Sequence, residues 1–429
     1  MTIRQSIGIG IDVGTSGVRA VAMEASGRIA AQAATRLDAI TADHRDPQGW
    51  RIAFERALDQ VLAAVDPAAV SCLCVDGTSG TVLAVDPSGR PLAEPLMYND
   101  PVRDGGILTV IARLAPRESA AHGATSGLAK AILLARLPGV AHVMHQADWV
   151  ASQLSGRLDL SDESNALKTG YDPVAREWPE WIAKSGIKLE LLPQVLPAGA
   201  RMGPLSQAAA SRFGLAESVS VMAGTTDGCA SFLATGASRP GEGVTALGST
   251  LTVKILSREP LFAPEYGLYS HRIGNMWLAG GASNTGGNVL RHFFDDGRLA
   301  ELTELIDPAC DLGLHFYPLL KAGERFPIND PQLAPRMQPR PAADHQFLHA
   351  LLEGMAGIEA LAYQRLAALG APDLVSIRTV GGGARSAAWS AIRQRKIAVP
   401  LLPARSEEAA AGTALLALGA FTTGKGMGP

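Results

Sequence analysis

A chain of 429 residues, 47% hydrophobic and 18% charged, has the material for two globular domains and is too apolar to be disordered. Its formal net charge of −3, with Lys and Arg scattered along the chain, excludes the basic footprint of a nucleic-acid binder, and its longest apolar stretches fall short of a membrane span. The first residues, MTIRQS, lack the apolar core of a signal peptide, so small-molecule chemistry in the cytoplasm is the expectation that remains.

In chain order, residues 7–13 and 18–23 read as two strands joined by GTSG, and EASG follows as a turn with Gly27 suited to positive φ. An apolar 3.6-residue period over GWRIAFERALDQVLAAV predicts a helix. VSCLCVDG then predicts a strand with Cys72 and Cys74 on one side, too parallel for a disulfide and without the further ligands a metal needs. DGTSGTVLAVDPSG repeats the strand, turn, strand pattern, so a second hairpin is expected. QADWVASQLSG reads as a helix.

In VMAGTTDGCASFLATG, an apolar strand is expected to meet a tight turn at Gly224-Thr225-Thr226, with a helix over Cys229 to Leu233. GVTALGSTLTVKIL places Gly248-Ser249-Thr250 between two β-branched runs, a second glycine-hydroxyl turn. Residues 316–341 are rich in Pro and turn-formers and read as an extended connection, and residues 344–370 as a long amphipathic helix. RTVGGGARSAAW then joins a strand through Gly381-Gly382-Gly383 to a helix carrying Trp389. Strand and helix alternate, so the fold class is α/β.

Chemistry concentrates at three of these places. Asp12, at a strand end beside Gly14, Thr15 and Ser16, either holds Mg²⁺ while the turn amides and hydroxyls cradle phosphate, or bonds the turn amides alone. Asp227 is either an acid aimed into a cleft or a helix N-cap. The triple glycine either lets a flat ligand lie on the backbone or serves close strand-helix packing. Two other patterns read as coincidence. GAFTTGKG, residues 419–426, imitates a P-loop but lacks the hydroxyl for Mg²⁺, and HQFLH, residues 345–349, has zinc spacing but Gln346 where a metalloprotease has Glu.

Taken together, IGIDVGTSGVRAV, AGTTDGCASFLATG, ALGSTLTVK, VGGGARSAAW and EEAAAGTALLA occur in the order found in the FGGY family of carbohydrate kinases, and the resemblance covers essentially the whole chain. DGTSGTVLAVDPSGRPL, LMYND, SDESNALKTGYDP and GERFPINDP look most like its D-ribulokinase-like group, related to xylulokinases. Glycerol kinases usually carry Arg-Glu where this chain has Thr78-Ser79, and typical xylulokinases carry Met-His-Gly near Ser79-Gly80.

The resemblance implies a two-domain actin-like ATPase (ribonuclease H-like) fold with a cleft between the domains. Residues 1–234 with a returning helix at 411–429 would form the sugar side, and 235–410 the nucleotide side. It implies transfer of phosphate from ATP to a ketopentose, D-ribulose first and D-xylulose as the rival, with Asp227 as general base and Asp12 organising Mg²⁺. Thr15, Ser16, Ser249 and Thr250, with Gly14 and Gly248, would clamp phosphate. Gly381, Gly382, Gly383 and Trp389 would flank adenosine, with Ser386 where relatives commonly have Asn. Ser79, Asp100 and Asp227, with Tyr98 and Lys168, would meet the sugar; Asp100 alternatively caps a turn, and Lys168 is alternatively a solvated loop residue. The implied partners are sugar and ATP, with a second copy of the chain as a further candidate, and neither nucleic acid nor membrane.

Overall fold

The computed structural model describes residues 6–419, so residues 420–426 of the P-loop imitation and 420–429 of the expected returning helix lie outside the described residues. The chain forms two compact units. One takes residues 6–236, 271–275 and 408–419, and the other takes 237–270 and 276–407.

In the first unit, Ile7–Val13 (β1), Gly17–Glu24 (β2) and Ile29–Arg36 (β3) form an antiparallel meander. On its other edge β1 runs parallel to Val70–Gly77 (β4). Arg201–Pro204 (β5) and Ser220–Thr226 (β6) complete a sheet of order β3-β2-β1-β4-β6-β5. Strand β6 is parallel to β4 and antiparallel to β5.

Every residue of β1 is buried, and its period of two sorts them. Ile7, Ile9, Ile11 and Val13 join the core that includes Trp50, Phe54 and Leu58 of the helix Pro47–Leu62 (α1). That helix starts where Asp46 accepts from Gln48 N at 2.9 Å and Pro47 supplies a fixed φ, a cap whose loss costs about 1 kcal/mol.

The opposite face of β1 carries Gly8, Gly10 and Asp12. A helix returning at Ala409–Ala417 lies on it so closely that a Cβ on Gly10 would stand 2.0 Å from Ala410 O. Gly412 gives the same helix its second close approach, 1.9 Å from a Cβ to Ala230 O of the helix Asp227–Ala234. Small residues on this face thus let helix backbone stack on strand backbone, and Asp12 is the first side chain beyond the stack.

Two expectations change here. Val82–Val85 does not hairpin with β4 but pairs with His142–His145 in a separate two-stranded sheet, because β1 and β6 already occupy both edges of β4. Gly224, Thr225 and Thr226 belong to β6 and form no tight turn. The register with β4 shifts between Met222 and Thr225, and a Cβ on Gly224 would lie 1.8 Å from Val75 O.

The second unit repeats the plan. Glu242–Leu247 (β7) pairs antiparallel with Leu251–Ser257 (β8), which pairs antiparallel with Met276–Ala282 (β9). Ser376–Val380 (β10) lies parallel to β7, and Leu401–Leu402 (β11) parallel to β10. Helices Asp344–Ala368 and Ala387–Ile397 pack beside it, and a network centred on the fully buried Arg393 and Glu359 ties them to the strands. Arg393 donates to Glu359 at 2.6 and 2.7 Å and to Thr379 at 2.8 Å, and Thr245 donates to Glu359 at 2.5 Å. Residues 316–341 form an irregular connection held by bridges such as Tyr317 to Arg336. Among the described residues no helix is long and apolar enough to cross a membrane.

Candidate active site

Strand register brings the acids of the first unit together. Asp12 is paired with Asp76 across the parallel β1–β4 ladder and with Arg19 across the antiparallel β1–β2 ladder, so all three share one face. Beyond the end of neighbouring β6, Asp227 is the first residue of its helix; Thr226 holds the cap position, and Asp227 Oδ1 accepts from Gly228 N at 2.6 Å. Of the two roles open to Asp227, the N-cap therefore falls to its neighbour.

Burial and then the nearby Asp227 charge raise the Asp12 carboxyl to about 6, against the opposing pull of Asp76 and Arg19. Asp76 is completely buried. Burial and then the Asp12 charge hold it well above the usual carboxylate range. Its Oδ2 accepts from Thr413 of the returning helix, and its Oδ1 has no partner. Arg19 lies 3.6 Å from Asp12 and 3.3 Å from Glu408, half exposed at the rim.

A cleft of about 390 Å³ opens over this cluster. Of the residues anticipated from sequence, Asp12, Gly14, Thr15, Ser16, Ser79, Tyr98, Lys168 and Asp227 line it. The Ser79 hydroxyl is buried without a hydrogen-bond partner, which leaves it available to a ligand in the cleft. Lys168 belongs to this wall. Asp100 does not line the cleft: its carboxylate accepts from Arg45 at 2.8 and 3.1 Å and from Met97 N at 2.8 Å, the turn-capping alternative.

The donor set fits Mg²⁺. Asp12 and Asp227 are hard oxygen ligands whose mutual repulsion a cation relieves, and Mg²⁺ is usually held by one or two carboxylates with water and phosphate completing its shell. Among the described residues there is no group of three or more His, Cys, Asp or Glu side chains that could hold a metal. A cation at Asp12 thus depends on ligands from solvent or substrate.

The second unit has a larger cavity, about 1110 Å³, at the carboxyl ends of β7 and β10. Leu247, Leu290, Leu348 and Leu352 give it apolar walls, and Ser249, Arg291 and Arg385 supply polar groups. Gly248, Ser249, Gly382, Gly383, Ser386 and Trp389 line it; Thr250 and Gly381 do not. Gly381 shapes the bend from below, at φ 89° with only 2.8 Å between a Cβ and Leu247 O. The Ser386 hydroxyl accepts from Trp389 N at 3.2 Å and so caps the helix. Trp389 is a floor, 3% exposed, and a Cβ on Gly383 would stand 2.6 Å from its ring. Of the three glycines, Gly381 and Gly383 permit tight packing, and Gly382 and Gly383 line the cavity.

Sequence reasoning passed over Asp76, Thr413, Arg19 and Thr78. A signal for Asp76 existed: IDVGTSG and VDGTSG place an acid before the same Gly-Thr-Ser turn on adjacent parallel strands. Thr413 carried none, because its role exists only once the chain returns to the first sheet.

Comparison with known proteins places these features in a family. Residues 135–234 match the N-terminal domain of the FGGY family of carbohydrate kinases, and residues 243–421 match its C-terminal domain. The autoinducer-2 kinase of Enterobacter sp. (strain 638) is 29% identical over 308 residues, covering 66% of this chain and 56% of that protein. The chain thus spans about half the length of the curated relatives it matches. A structure titled as a xyloylose kinase from Brucella ovis superposes with a TM-score of 0.84 at 25% identity, over 98% of this chain and 92% of that one. Plasmodium falciparum glycerol kinase with ADP shares the fold, with a TM-score of 0.80 at 14% identity over 96% of this chain and 89% of that one. The fold of these sugar kinases, and of this chain, is the actin-like ATPase fold.

Proposed function

Because this chain belongs to the FGGY family of carbohydrate kinases, we propose that it transfers the γ-phosphate of ATP to the primary hydroxyl of a ketopentose, with D-ribulose the first candidate. The observation that carries this reading is the cleft in which Asp227, Asp12 and the unpartnered Ser79 hydroxyl converge.

Phosphoryl transfer through a loose transition state asks little push of the nucleophile. Asp227 orients the hydroxyl and takes its proton late, a role suited to a half-buried carboxylate at a helix start. Ser79, Tyr98 and Lys168 hold the remaining hydroxyls and carbonyl oxygen of the sugar. Asp12 would hold Mg²⁺, directly or through water, which would supply charge neutralisation to the phosphates. Asp76, raised by burial and the Asp12 charge, stays neutral beneath Asp12 and adds no second charge to that carboxylate. In the second unit, Gly382 and Gly383 border the adenosine and Ser249 a phosphate, while Trp389 supports the floor.

Two rival acceptors have specific support. Xylulose differs from ribulose at one stereocentre, and the Brucella ovis structure carries a related name at 25% identity. Autoinducer-2 is named in the 29% identical relative. ADP release by the full chain, measured with D-ribulose, D-xylulose, autoinducer-2, glycerol and gluconate, separates them. D-ribulose is expected to give the largest kcat/KM; a larger value for any other acceptor removes the ribulose assignment.

A further inference from the structure

The helix Gly127–Leu134, GLAKAILL, carries one charged residue, Lys130, and that side chain is completely buried. A lone ammonium in an apolar helix is costly to bury unless backbone or side-chain oxygens replace its water. Here Nζ donates to Gly80 O at 2.8 Å and to Met97 O at 2.6 Å. Those carbonyls belong to two separate loops, and each adjoins a cleft residue in sequence: Ser79 precedes Gly80, and Tyr98 follows Met97.

Other bonds fasten the same two loops. Tyr98 N donates to Thr81 Oγ1 at 3.0 Å, and the Thr81 hydroxyl meets that of Thr78 at 2.6 Å. Thr78 in turn bonds Gln146 Oε1 through its amide at 3.1 Å and its hydroxyl at 2.7 Å. Asp100, held by Arg45, fixes Met97 N from outside. Burial lowers the Lys130 ammonium to about 8, with Asp100 opposing that shift and Lys168 adding to it. Lys130 grips both loops from beneath, and Gly80, at φ 89°, turns its carbonyl toward it.

We propose that Lys130 is a positioning residue for the acceptor: by bridging Gly80 O and Met97 O it sets the spacing of Ser79 and Tyr98, and so determines which acceptor the cleft admits. This rests on the reading of the cleft as the acceptor site. The arrangement makes Lys130 indirect, since it touches the loops and not the cleft, so its loss alters acceptor binding more than turnover or nucleotide binding.

The test uses the full chain with Lys130→Met, of similar length without charge, and Lys130→Ala, which leaves room for methylammonium. Hydrogen exchange of the amides of 78–82 and 97–100 is expected to rise at least about tenfold in both variants, with the second unit unchanged and added methylammonium restoring protection in Lys130→Ala. With D-ribulose and D-xylulose as probes, the acceptor KM is expected to rise about tenfold or more, with the KM for ATP unchanged and kcat lowered less than twofold. Unchanged exchange in both loops overturns the proposal, as does an equal change in the KM for acceptor and ATP. If neither sugar is phosphorylated by the unsubstituted chain, the ketopentose reading fails while the exchange experiment still decides the role of Lys130.

Discussion

Asp12 shows what a functional acid costs the fold. In the unfolded chain it titrates near 3.8, and in the folded chain, without ligands, at about 6. A carboxyl whose folded value is raised favours the fold when protonated. Its contribution is therefore fully present below pH 4 and is lost as pH rises through 6. That rise corresponds to about 3 kcal/mol at neutral pH. Asp12→Asn is accordingly expected to melt several degrees higher than the unsubstituted chain at pH 7.5 without Mg²⁺ or nucleotide, an advantage that shrinks toward pH 4, while sugar phosphorylation collapses. Thermal melts across pH check this; an equal or lower melting point at pH 7.5 contradicts it. Asp76 makes a companion prediction. As a buried neutral acid beside Asp12, it is replaced best by Asn, which is neutral, of the same shape and still able to accept from Thr413, so Asp76→Asn is expected to retain most of kcat whereas Asp76→Ala loses at least tenfold in steady-state assays. An Asn variant as impaired as the Ala variant contradicts the neutral reading of Asp76.

At the scale of elements, the two sheets and their helices were legible wherever one strand or helix carried its own period. β1 and β2, the long helix Asp344–Ala368, and the strand-to-helix passage into Asp227 all follow from residues within a few positions of one another. What the sequence hid is pairing at long range. Val82–Val85 reads as a hairpin partner of β4 because local grammar says nothing of β1 and β6, which fill the edges of β4 from residues far away in the chain. Thr413 is hidden for the same reason, since it reaches Asp76 across 337 positions. Ser386 and Asp100 differ again: both carry a side chain fit for a ligand, and local backbone donors claim it first.

Close packing of the returning helix gives the element-scale prediction. Gly412→Val places side-chain atoms where a single Cβ already meets Ala230 O at 1.9 Å, so it forces the returning helix away from the helix of Asp227. A loss of about 1–3 kcal/mol in denaturant unfolding is expected, with acceptor phosphorylation falling further than the stability loss explains. Retained stability and activity contradict the packing. In the second unit, Arg393→Met strands Glu359 without its cation and is expected to cost about 3–5 kcal/mol.

At the scale of the whole molecule, the proposed function assigns the acceptor to the first unit and the nucleotide to the second. The first presents acids and an unpartnered hydroxyl in a small cleft, and the second a larger, mostly apolar cavity bordered by glycines and a helix-capping serine. ATP turnover is therefore expected to depend on the acceptor, which separates a sugar kinase from an ATPase of the same fold that hydrolyses ATP regardless of sugar. The most direct test measures ADP and phosphorylated sugar together, for the full chain and for Asp227→Asn, with and without D-ribulose. The account predicts sugar-stimulated ADP release by the unsubstituted chain, matched by sugar phosphate and lowered on the order of 10²–10⁴-fold in Asp227→Asn. Undiminished sugar phosphorylation by Asp227→Asn would contradict it.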